Sequence, residues 1–389
     1  MAASVSTSFK NRLASGYQLI SRIEVLTPQG AVLLDSDNTA TPLNVVGGTI
    51  RCDRTSSFRR YVENLTIVDE TGSYIPTLPG DTFSTVSGNE LRLSVGMISD
   101  QGKEYVVQGY FGLQGARTRD TVQGVTIELS AYDRGRLFSR ARRVTPKVFD
   151  AVNSTPIASA ITSTLQDALP GAIVNTDTGA STYLTPSQTC NSGDDPWEFC
   201  RGLADSIGYE LFIDRLGNII LQRIPDPNSK DLLTNWIYTE GVNATLLEVD
   251  RAQDTEQVFN GIVVTGMNPS SGLPPVRVLV WDDNPASPTY YAGPFGRHPD
   301  FYQSDTIVTV QQATDAGIGR LNNMKGLNEQ ITFSIVPNPA MEPTDVIQLV
   351  RTKSKFPAGG SPLIVDSFEI NLLGSAAEMQ VTCRPRRLF

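Results

Sequence analysis

The sequence predicts a mainly β protein with two tandem β-barrel or β-sandwich domains and a small α/β domain between or attached to them. Strand-like runs occupy the first and last parts of the chain, and two helix-like runs interrupt them after Val144. At 389 residues the chain is also too long for one compact core. We therefore predict domains at residues 1–144, 145–227 and 228–389.

The first β-domain is predicted from six short runs that are rich in β-branched and aromatic residues and are separated by turn residues. These runs are SRIEVLTPQGAVLLD, TIRCD, YVENLTIVD, LRLSVGMI, EYVVQGYFGL and VTIELSAYD. No helical pattern lies between them. Such spacing is typical of an antiparallel sandwich or barrel and not of a parallel α/β sheet.

A first helix is predicted in NSTPIASAITSTLQDALPG, where Ile157, Ile161 and Leu165 recur every four residues. We expect Thr155 to be the N-cap and Pro156 to be the first helical residue, since proline is favoured in the first turn. The dipeptide PG then ends the helix.

A second helix is predicted in DDPWEFCRGLADSIG. Asp195 is the expected N-cap, Pro196 opens the helix, Glu198 completes a pair that resembles a capping box, and Gly208 ends it. The predicted buried stripe consists of Trp197, Cys200, Leu203, Ala204 and Ile207.

A β-hairpin is predicted next, in YELFIDRLGNIILQRI, with its turn at residues 214–218. Its alternation places Tyr209, Leu211 and Ile213 on one face. The proline-rich PDPNSKD then joins this α/β domain to the second β-domain.

The second β-domain is predicted from ATLLEVD, QVFNGIVVTG, VRVLVW, EQITFSIV, VIQLV and PLIVDSFEINLL. One helix interrupts it in VQQATDAGIGRLNNMKG, despite two internal glycines. The residues that fit one face of this helix are Val310, Ala313, Ile318, Leu321 and Met324. Two β-domains in one chain suggest a structural duplication.

The charge of the chain argues against a dedicated nucleic-acid-binding protein. The net charge is −9, and the first 150 residues hold 17 basic and 15 acidic side chains, against 15 and 26 in the rest. Phosphate backbones would be repelled over most of such a surface, although an acidic wall lets DNA slide past.

Cysteine usage and hydropathy predict assembly in the cytosol. The four cysteines, Cys52, Cys190, Cys200 and Cys383, are too sparse for a disulfide scaffold. The first twenty residues lack the basic start and continuous apolar run of a signal peptide, and no window approaches eighteen apolar residues. We therefore expect neither a signal peptide nor a membrane span.

Motifs for catalysis, nucleotides or cofactors are not found, so we predict no catalytic residue, no metal and no cofactor. His298 is the single histidine, and a loop-capping or interface role is favoured over a catalytic one. Asp194, Asp195 and Glu198 cluster as a glycosidase pair would, but helix capping explains two of them. The exposed aromatics Tyr290 and Tyr291 fit sugar stacking, loop anchoring or contacts with a partner.

Two arginine tracts stand out in this acidic chain, and we predict that they lie at an interface. Guanidinium groups suit bidentate pairing with carboxylates of a neighbouring subunit. Solvated surface charge is the alternative for any single arginine, and a phosphate-binding groove is third because aromatics are not interleaved. The residues are Arg51, Arg54, Arg59, Arg60, Arg134, Arg136, Arg140, Arg142 and Arg143.

The order of several motifs resembles the tail-tip hub proteins of tailed bacteriophages, a siphophage family related to the baseplate hub of contractile tails. The resemblance rests on GGTIRCDRTSSFRRYVENLTIVDETG, ELRLSVGM, VVQGYFGL and VTIELSAYDRGRLFSRAR. DPWEFCRGLADSIGYELFIDRLGNIILQRIPDP and ITFSIVPNPAMEPTDVIQLV follow in the same order. Each motif is weak alone, and together they span nearly the whole chain.

The resemblance implies a non-enzymatic structural hub in the virion, at the tail tip or baseplate, assembled in the host cytoplasm. Three copies, each with two β-barrels, would form a pseudo-hexameric ring around the DNA exit channel. The implied partners are the distal tail protein, the tail tube protein, the tape measure protein and a central tail fibre or spike. DNA would pass without specific binding. The chain ends at VTCRPRRLF, so no lytic extension is expected.

Two other functions remain open from the sequence. The first is a tail-associated enzyme or binding protein that acts on peptidoglycan or another carbohydrate. The second is a secreted β-sandwich adhesin, which the expected lack of an export signal disfavours.

Overall fold

The computed structural model describes residues 4–15, 17–37, 43–99, 102–122, 124–150, 155–241, 245–254, 256, 258–267, 274–326, 329–372 and 378–386. Within these residues the chain forms 21 strands and five α-helices. This confirms the predicted mainly β fold.

The first β-repeat, as we call the first set of barrel strands, follows helix α1 (Thr7–Ser15). Its strands are β1 (Leu19–Leu26), β2 (Val32–Asp35), β3 (Asn44–Asp53), β4 (Arg60–Asp69), β5 (Glu90–Ser99), β6 (Gly102–Thr121) and β7 (Gly124–Asp133). They include all six predicted runs, of which the first forms the hairpin β1–β2.

The first α/β unit begins after the short helix α2 (Gly135–Arg140). It contains β8 (Lys147–Phe149), α3 (Ile157–Ala168), β9 (Val174–Thr176), β10 (Gln188–Cys190), α4 (Pro196–Asp205), β11 (Tyr209–Ile213) and β12 (Ile219–Arg223). Both helices pack against the β11–β12 hairpin in one apolar core.

The second β-repeat and a second α/β unit complete the chain. The repeat consists of β13 (Thr234–Thr239), β14 (Leu246–Gln253), β18 (Glu329–Ile335), β19 (Val346–Arg351), β20 (Phe356–Asn371) and β21 (Met379–Pro385). The second α/β unit lies between β14 and β18 and contains β15 (Gly261–Thr265), β16 (Arg277–Trp281), β17 (Pro299–Gln303) and α5 (Val310–Met324).

The two β-repeats share one order of strand pairing. In the first repeat the order is β3–β4–β7–β6–β5–β1, and in the second it is β14–β18–β21–β20–β19–β13. The repeats differ at one end, because β1 is antiparallel to β5 whereas β13 is parallel to β19. The second α/β unit occupies the place of the short β3–β4 loop.

A β-bulge occurs at the corresponding position of each repeat. The register of β6 with β7 shifts between Leu113 and Gly115, and that of β20 with β21 shifts between Val365 and Ser367. The bulge lies on the long strand of each repeat, next to the point where the pairing with β5 or β19 ends. Bulges of this kind bend a strand from one sheet to the next.

The two β-repeats join edge to edge. The C-terminal part of β20 pairs antiparallel with β3, from Ser367 opposite Asp53 to Asn371 opposite Thr49. One continuous sheet and one connected apolar core therefore run through both repeats. The predicted domain boundaries at residues 144 and 227 stay a prediction.

The predicted start of α3 is wrong by one residue. Pro156 is the N-cap, with an extended backbone at ψ 142°, and no side chain caps the helix. The carbonyl of Thr155 instead accepts a hydrogen bond from the amide of Thr185 at 2.8 Å. Residues 155 and 156 are thus held as extended chain, so the helix begins at Ile157. The stripe of Ile157, Ile161 and Leu165 is buried as predicted.

Helix α4 and its hairpin are confirmed apart from one detail. Asp195 caps the helix by accepting from the amides of Trp197 and Glu198, and the predicted apolar stripe is buried. Glu198 forms no reciprocal capping pair and instead pairs with Arg201 at 3.1 Å. The helix ends at Asp205, and Gly208 follows with a positive φ of 71°.

The predicted apolar face of α5 is partly wrong. Val310 and Ile318 are 65% and 37% exposed, whereas Gly317 and Gly319 are buried. A Cβ at Gly317 would lie 2.7 Å from Val280 Cγ2, and one at Gly319 would lie 2.7 Å from the Cα of Gly208. Gly317 therefore allows close packing against β16 on one side of the helix, and Gly319 allows close packing against the first α/β unit on another side.

Candidate functional site: a charged junction between the repeats

The loop between β3 and β4 carries the first arginine tract and is closed by its own hydrogen bonds. The amide of Asp53 donates to the carbonyl of Arg59 at 2.8 Å. The Asp53 carboxylate accepts from the amide and the hydroxyl of Thr55 at 2.8 and 2.7 Å. This tight loop presents Arg54 and Arg59 to both α/β units.

Arg54 and Arg59 converge on Glu210 of the first α/β unit, at 3.2 and 3.0 Å. All three side chains are largely buried, and the Arg59 guanidinium lies 3.4 Å from the ring centroid of Phe212. Burial alone raises the pKa of Glu210, but Arg54 and Arg59 outweigh it and lower the pKa below its ordinary value. Arg54 also donates to Asn323 of α5 at 2.7 Å.

Glu342 receives two arginines from different parts of the chain. Arg60 of β4 and Arg215 of the β11–β12 turn each donate to one oxygen of its carboxylate. Burial raises the pKa of Glu342, and the two guanidinium groups overcome this and hold the pKa below its usual value. The carboxylate therefore stays ionised while buried, as such a site requires.

The loop that contains Glu342 lies between β18 and β19 and is held by further hydrogen bonds. Arg215 donates to the carbonyl of Met341 at 2.8 Å, and the Gln108 side chain of β6 donates to the carbonyl of Pro339 at 2.8 Å. Arg60 donates to the carbonyl of Gln108 at 3.0 Å. One polar network thus joins the first β-repeat, the first α/β unit and the second β-repeat.

Asp133 fixes the other end of the Arg60 backbone. Its carboxylate accepts from the amides of Arg60 and Gly135 at 3.0 and 2.9 Å, where β7 leads into α2. Burial raises the pKa of Asp133 to about 6, although both hydrogen bonds act in the opposite direction.

The second arginine tract also finds partners within the chain. Arg134 binds Glu90 through two hydrogen bonds of 2.9 and 2.7 Å, and its guanidinium lies 4.8 Å from the ring centroid of Tyr110. Arg136 donates to the side chain of Gln114 at 3.2 Å. The remaining contacts are Arg142 with Asp195 and Arg143 with Asp167, while Arg140 is exposed on α2.

For most of these arginines the structure places a carboxylate of the same chain where the sequence analysis expected one of a neighbouring subunit. Arg51 pairs with Glu369 at 2.9 Å across the β3–β20 junction, and Arg60 is 1% exposed. Part of the charge difference between the two halves of the sequence is therefore balanced within one molecule. An interface role for these tracts stays a prediction, with the exposed Arg140 and Arg142 the most accessible members.

A cleft of about 740 Å³ opens beside this junction, between the second β-repeat and the two α/β units. Its wall contains both arginines and carboxylates, including Arg54, Arg201, Arg320, Arg384, Asp205 and Asp366. Burial raises the pKa of Asp205 to about 6, against the attraction of Arg320 and Arg201. No group of three potential metal ligands occurs among the described residues.

The candidate glycosidase carboxylates serve local structure. Asp195 caps α4 and accepts a hydrogen bond from the Ser139 hydroxyl at 2.6 Å. Asp194 accepts from the amide of Asn191 at 2.6 Å, and Glu198 pairs with Arg201. Each carboxylate thus has a partner that accounts for its position.

The remaining candidates anchor loops of the second α/β unit. His298 Nε2 lies 3.0 Å from the carbonyl oxygen of Phe295, and the two rings are 4.7 Å apart. Tyr291 stacks on Trp281 with centroids 5.9 Å apart and contacts Tyr290 edge-on.

Among the described helices, none is long and apolar enough to span a membrane.

Sequence reasoning missed the acidic partners and Arg215. Glu210 alternates with the apolar residues of β11 and therefore reads as an exposed strand position. Arg215 lies in the predicted hairpin turn, and Glu342 lies in a proline-rich loop, where charged residues usually face solvent. No local pattern distinguishes these buried charges from solvated ones.

No protein-family model and no curated protein matches this sequence significantly. Solved structures do match its fold. A tail protein from Neisseria meningitidis MC58 aligns with a TM-score of 0.60 at 9% identity, over 94% of this chain and 96% of that one. The 43 kDa tail protein of prophage MuSo2 from Shewanella oneidensis has a TM-score of 0.58 at 12% identity, over 95% and 98%.

Prophage tail protein gp18 from Listeria monocytogenes EGD-e matches with a TM-score of 0.53 at 10% identity, over 93% of this chain and 94% of that one. All three alignments span nearly the whole of both chains. The chain therefore has the fold of phage tail proteins, which confirms the fold that the resemblance implied.

Proposed function

We propose that this chain is the structural hub of a phage tail tip. Three copies form a ring of six β-repeats that adapts the sixfold tail tube and distal tail ring to a threefold central fibre or spike. The observation that carries the proposal is the repeated strand order, with its bulge at the same place in both repeats. A chain that presents one architecture twice is suited to match six positions with three molecules.

The match to solved tail proteins supports this proposal. The three alignments cover more than nine-tenths of each chain, so both β-repeats and both α/β units fall within the aligned lengths. Low identity limits the comparison to the fold, and function is inferred from the fold together with the internal repeat.

The rigid junction fits a structural role. Arg60, Arg215 and Glu342 tie three parts of the chain into one buried network, so the two repeats keep a fixed relative position. A ring that bears load between a tube and a fibre requires such fixed geometry. The cost of separating these charges from one another opposes hinge motion at the junction.

The partners that follow from this position are the distal tail protein, the tail tube protein, the tape measure protein and the central fibre or spike. We place the protein at the tail tip of the virion, assembled in the host cytoplasm. DNA passes through the ring without specific binding, since a chain of net charge −9 repels phosphate. The role is assembly and not catalysis.

Native mass spectrometry and negative-stain imaging of the purified chain test this function. We expect a trimer whose projections show a ring with a central hole. Monomers at concentrations well above those of assembly in a cell, or closed dimers without a hole, would contradict the proposal.

A further inference from the structure

The strand pairing that joins the two β-repeats within one chain indicates how neighbouring chains pair with each other. Two of the strand edges that have a partner on one side only in the described part of the chain are those of β6 and β14. The C-terminal part of β6, after its bulge, pairs with β7 alone, because β5 ends its pairing at Gly112. Strand β14 pairs with β18 alone.

These open edges correspond to the two strands that meet within the chain. In the shared pairing order β6 occupies the place of β20, and β14 occupies the place of β3. Strands β20 and β3 are the pair that joins the repeats. Each chain thus uses one copy of this junction internally and leaves the two halves of a second copy open.

We propose that β6 of one copy pairs antiparallel with β14 of the next copy, by repeating the β20–β3 junction between chains. This inference rests on the proposed ring and names the surface that closes it. The contact is head to tail, because different edges meet, and head-to-tail contacts close into rings when the rotation permits. It also removes the open edges, which otherwise promote aggregation.

The β-bulge fixes which residues of the long strands correspond. Leu113 and Val365 precede the two bulges, opposite Ala131 and Cys383. Counting onward from the bulges, Arg119 takes the place of Asn371.

The short strands correspond through the same partners. In the first repeat, Ala131 of β7 pairs with Val62 of β4, and Val62 pairs with Ile50 of β3. In the second repeat, Cys383 of β21 pairs with Ile331 of β18, and Ile331 pairs with Arg251 of β14. Ile50 and Arg251 are therefore equivalent, so Asp250 takes the place of Thr49.

The resulting register places Arg119 directly opposite Asp250, since Asn371 lies opposite Thr49 inside the chain. Both side chains are exposed, and neither has an ion-pair partner among the described residues. Arg117 falls diagonal to Asp250 on the same outer face. Opposite charges at facing positions stabilise strand pairs, as Arg51 and Glu369 do at 2.9 Å across the internal junction.

The pattern of burial agrees with this alignment of faces. Ala116 packs against the core, and so does Val249 of β14, which places both on the inner side of their strands. Side chains alternate between the two faces of a strand. Arg117 and Arg119 are an odd number of positions from Ala116, and Asp250 is next to Val249, so all three point outward. When the two edges pair in this register, the outer face of β6 therefore lies beside the outer face of β14, and no one-residue slip is needed.

Cysteine cross-linking tests the register. Facing residues of an antiparallel pair have Cβ atoms roughly 4.5–5.5 Å apart, which a disulfide or a short bis-maleimide spans. In the double variant Arg119→Cys/Asp250→Cys we expect covalent trimers on a denaturing gel, whereas each single variant stays monomeric. Arg119→Cys/Asp254→Cys is the matched control, since its positions are offset by about 13 Å along the strand.

The oligomeric state, measured on the same samples by native mass spectrometry, separates the two proposals. A trimer whose cross-linking at residues 119 and 250 is no greater than in the control overturns the β6–β14 contact and leaves the hub proposal standing. A monomer without cross-links overturns both. A trimer that Arg119→Asp weakens several-fold, and that Arg119→Asp with Asp250→Arg restores, supports the contact independently of cysteine chemistry.

Discussion

Arg60 and Glu342 form a buried ion pair that joins the two β-repeats, although 282 positions separate them in the sequence. The Arg60 side chain is 1% exposed and that of Glu342 is 12% exposed. Arg215 binds the second oxygen of the same carboxylate. Two guanidinium groups around one carboxylate keep the site charged, so the loss of the carboxylate leaves two buried cations without their shared partner.

Glu342→Gln should therefore strongly destabilise the protein. It leaves Arg60 and Arg215 facing a neutral amide, and breaking a buried pair in this way costs about 3–5 kcal/mol. The free energy of unfolding from urea denaturation measures the effect. Glu198→Gln is the matched control, since it removes a partly exposed pair with Arg201 that is worth at most about 1 kcal/mol. Equal losses in the two variants would show that the network does not hold the repeats together.

Gly319→Ala and Gly202→Ala should change stability in opposite directions, although both glycines lie in helices. Alanine favours a helix by about 1 kcal/mol over glycine. At Gly202 of α4 an added Cβ meets nothing within 4 Å, so we expect stabilisation. At Gly319 of α5 it would lie 2.7 Å from the Cα of Gly208, and overpacking of this kind costs about 1–3 kcal/mol. Thermal unfolding of both variants measures the difference, and two stabilised proteins would refute the close contact.

The helix and hairpin of the first α/β unit could be predicted because their signals are local. Asp195 and Pro196 mark the start of α4, and Gly208 marks the turn into β11. The apolar face of α5 could not be predicted in the same way. Its closest packing is made by Gly317 and Gly319, which carry no hydrophobic signal, while the apolar Ile318 is left partly exposed.

The order in which the strands of each repeat pair could also not be predicted from the sequence, although the strands themselves could. Strand runs show where the chain is extended, and register depends on contacts far apart in sequence. The pairing of β20 with β3 joins Phe368 to Cys52, and nothing near either residue indicates the other. The first arginine tract lies at the junction inside the chain, with partners such as Glu210 in other elements, and its predicted role between subunits stays a prediction.

Asp205→Asn should stabilise the protein more at pH 8 than at pH 5. Burial raises the pKa of this carboxyl to about 6 in the folded state, above its ordinary value of 3.8. The folded protein therefore binds this proton more tightly, and its stability falls as the pH rises through about 6. Asp205→Asn removes the carboxylate charge and with it this pH-dependent fall in stability. At pH 8 we expect the free energy of unfolding to rise by an amount on the order of 1–3 kcal/mol.

Asp167→Asn is the control for this pH dependence, because its sign is opposite. Lys147 and Arg143 lower the pKa of Asp167 despite the contrary effect of burial. Its charged form is stabilising, so we expect Asp167→Asn to destabilise at pH 8 and to have no effect once the pH falls below the pKa. Urea titrations at several pH values measure both profiles. Parallel profiles for the two variants would contradict the assignment of Asp205.

Asp195→Ala should lower stability without affecting any wall-degrading activity. The carboxylate accepts from two helix amides and from the Ser139 hydroxyl, so its loss should cost about 1–2 kcal/mol. Asp195→Asn should lose less, because asparagine is an equally good N-cap. A general acid behaves differently, since the amide keeps the cap and removes the proton donor. Incubation with peptidoglycan separates the roles: fragments released by the parent protein but not by a stable Asp195→Asn variant would favour an enzyme over a hub.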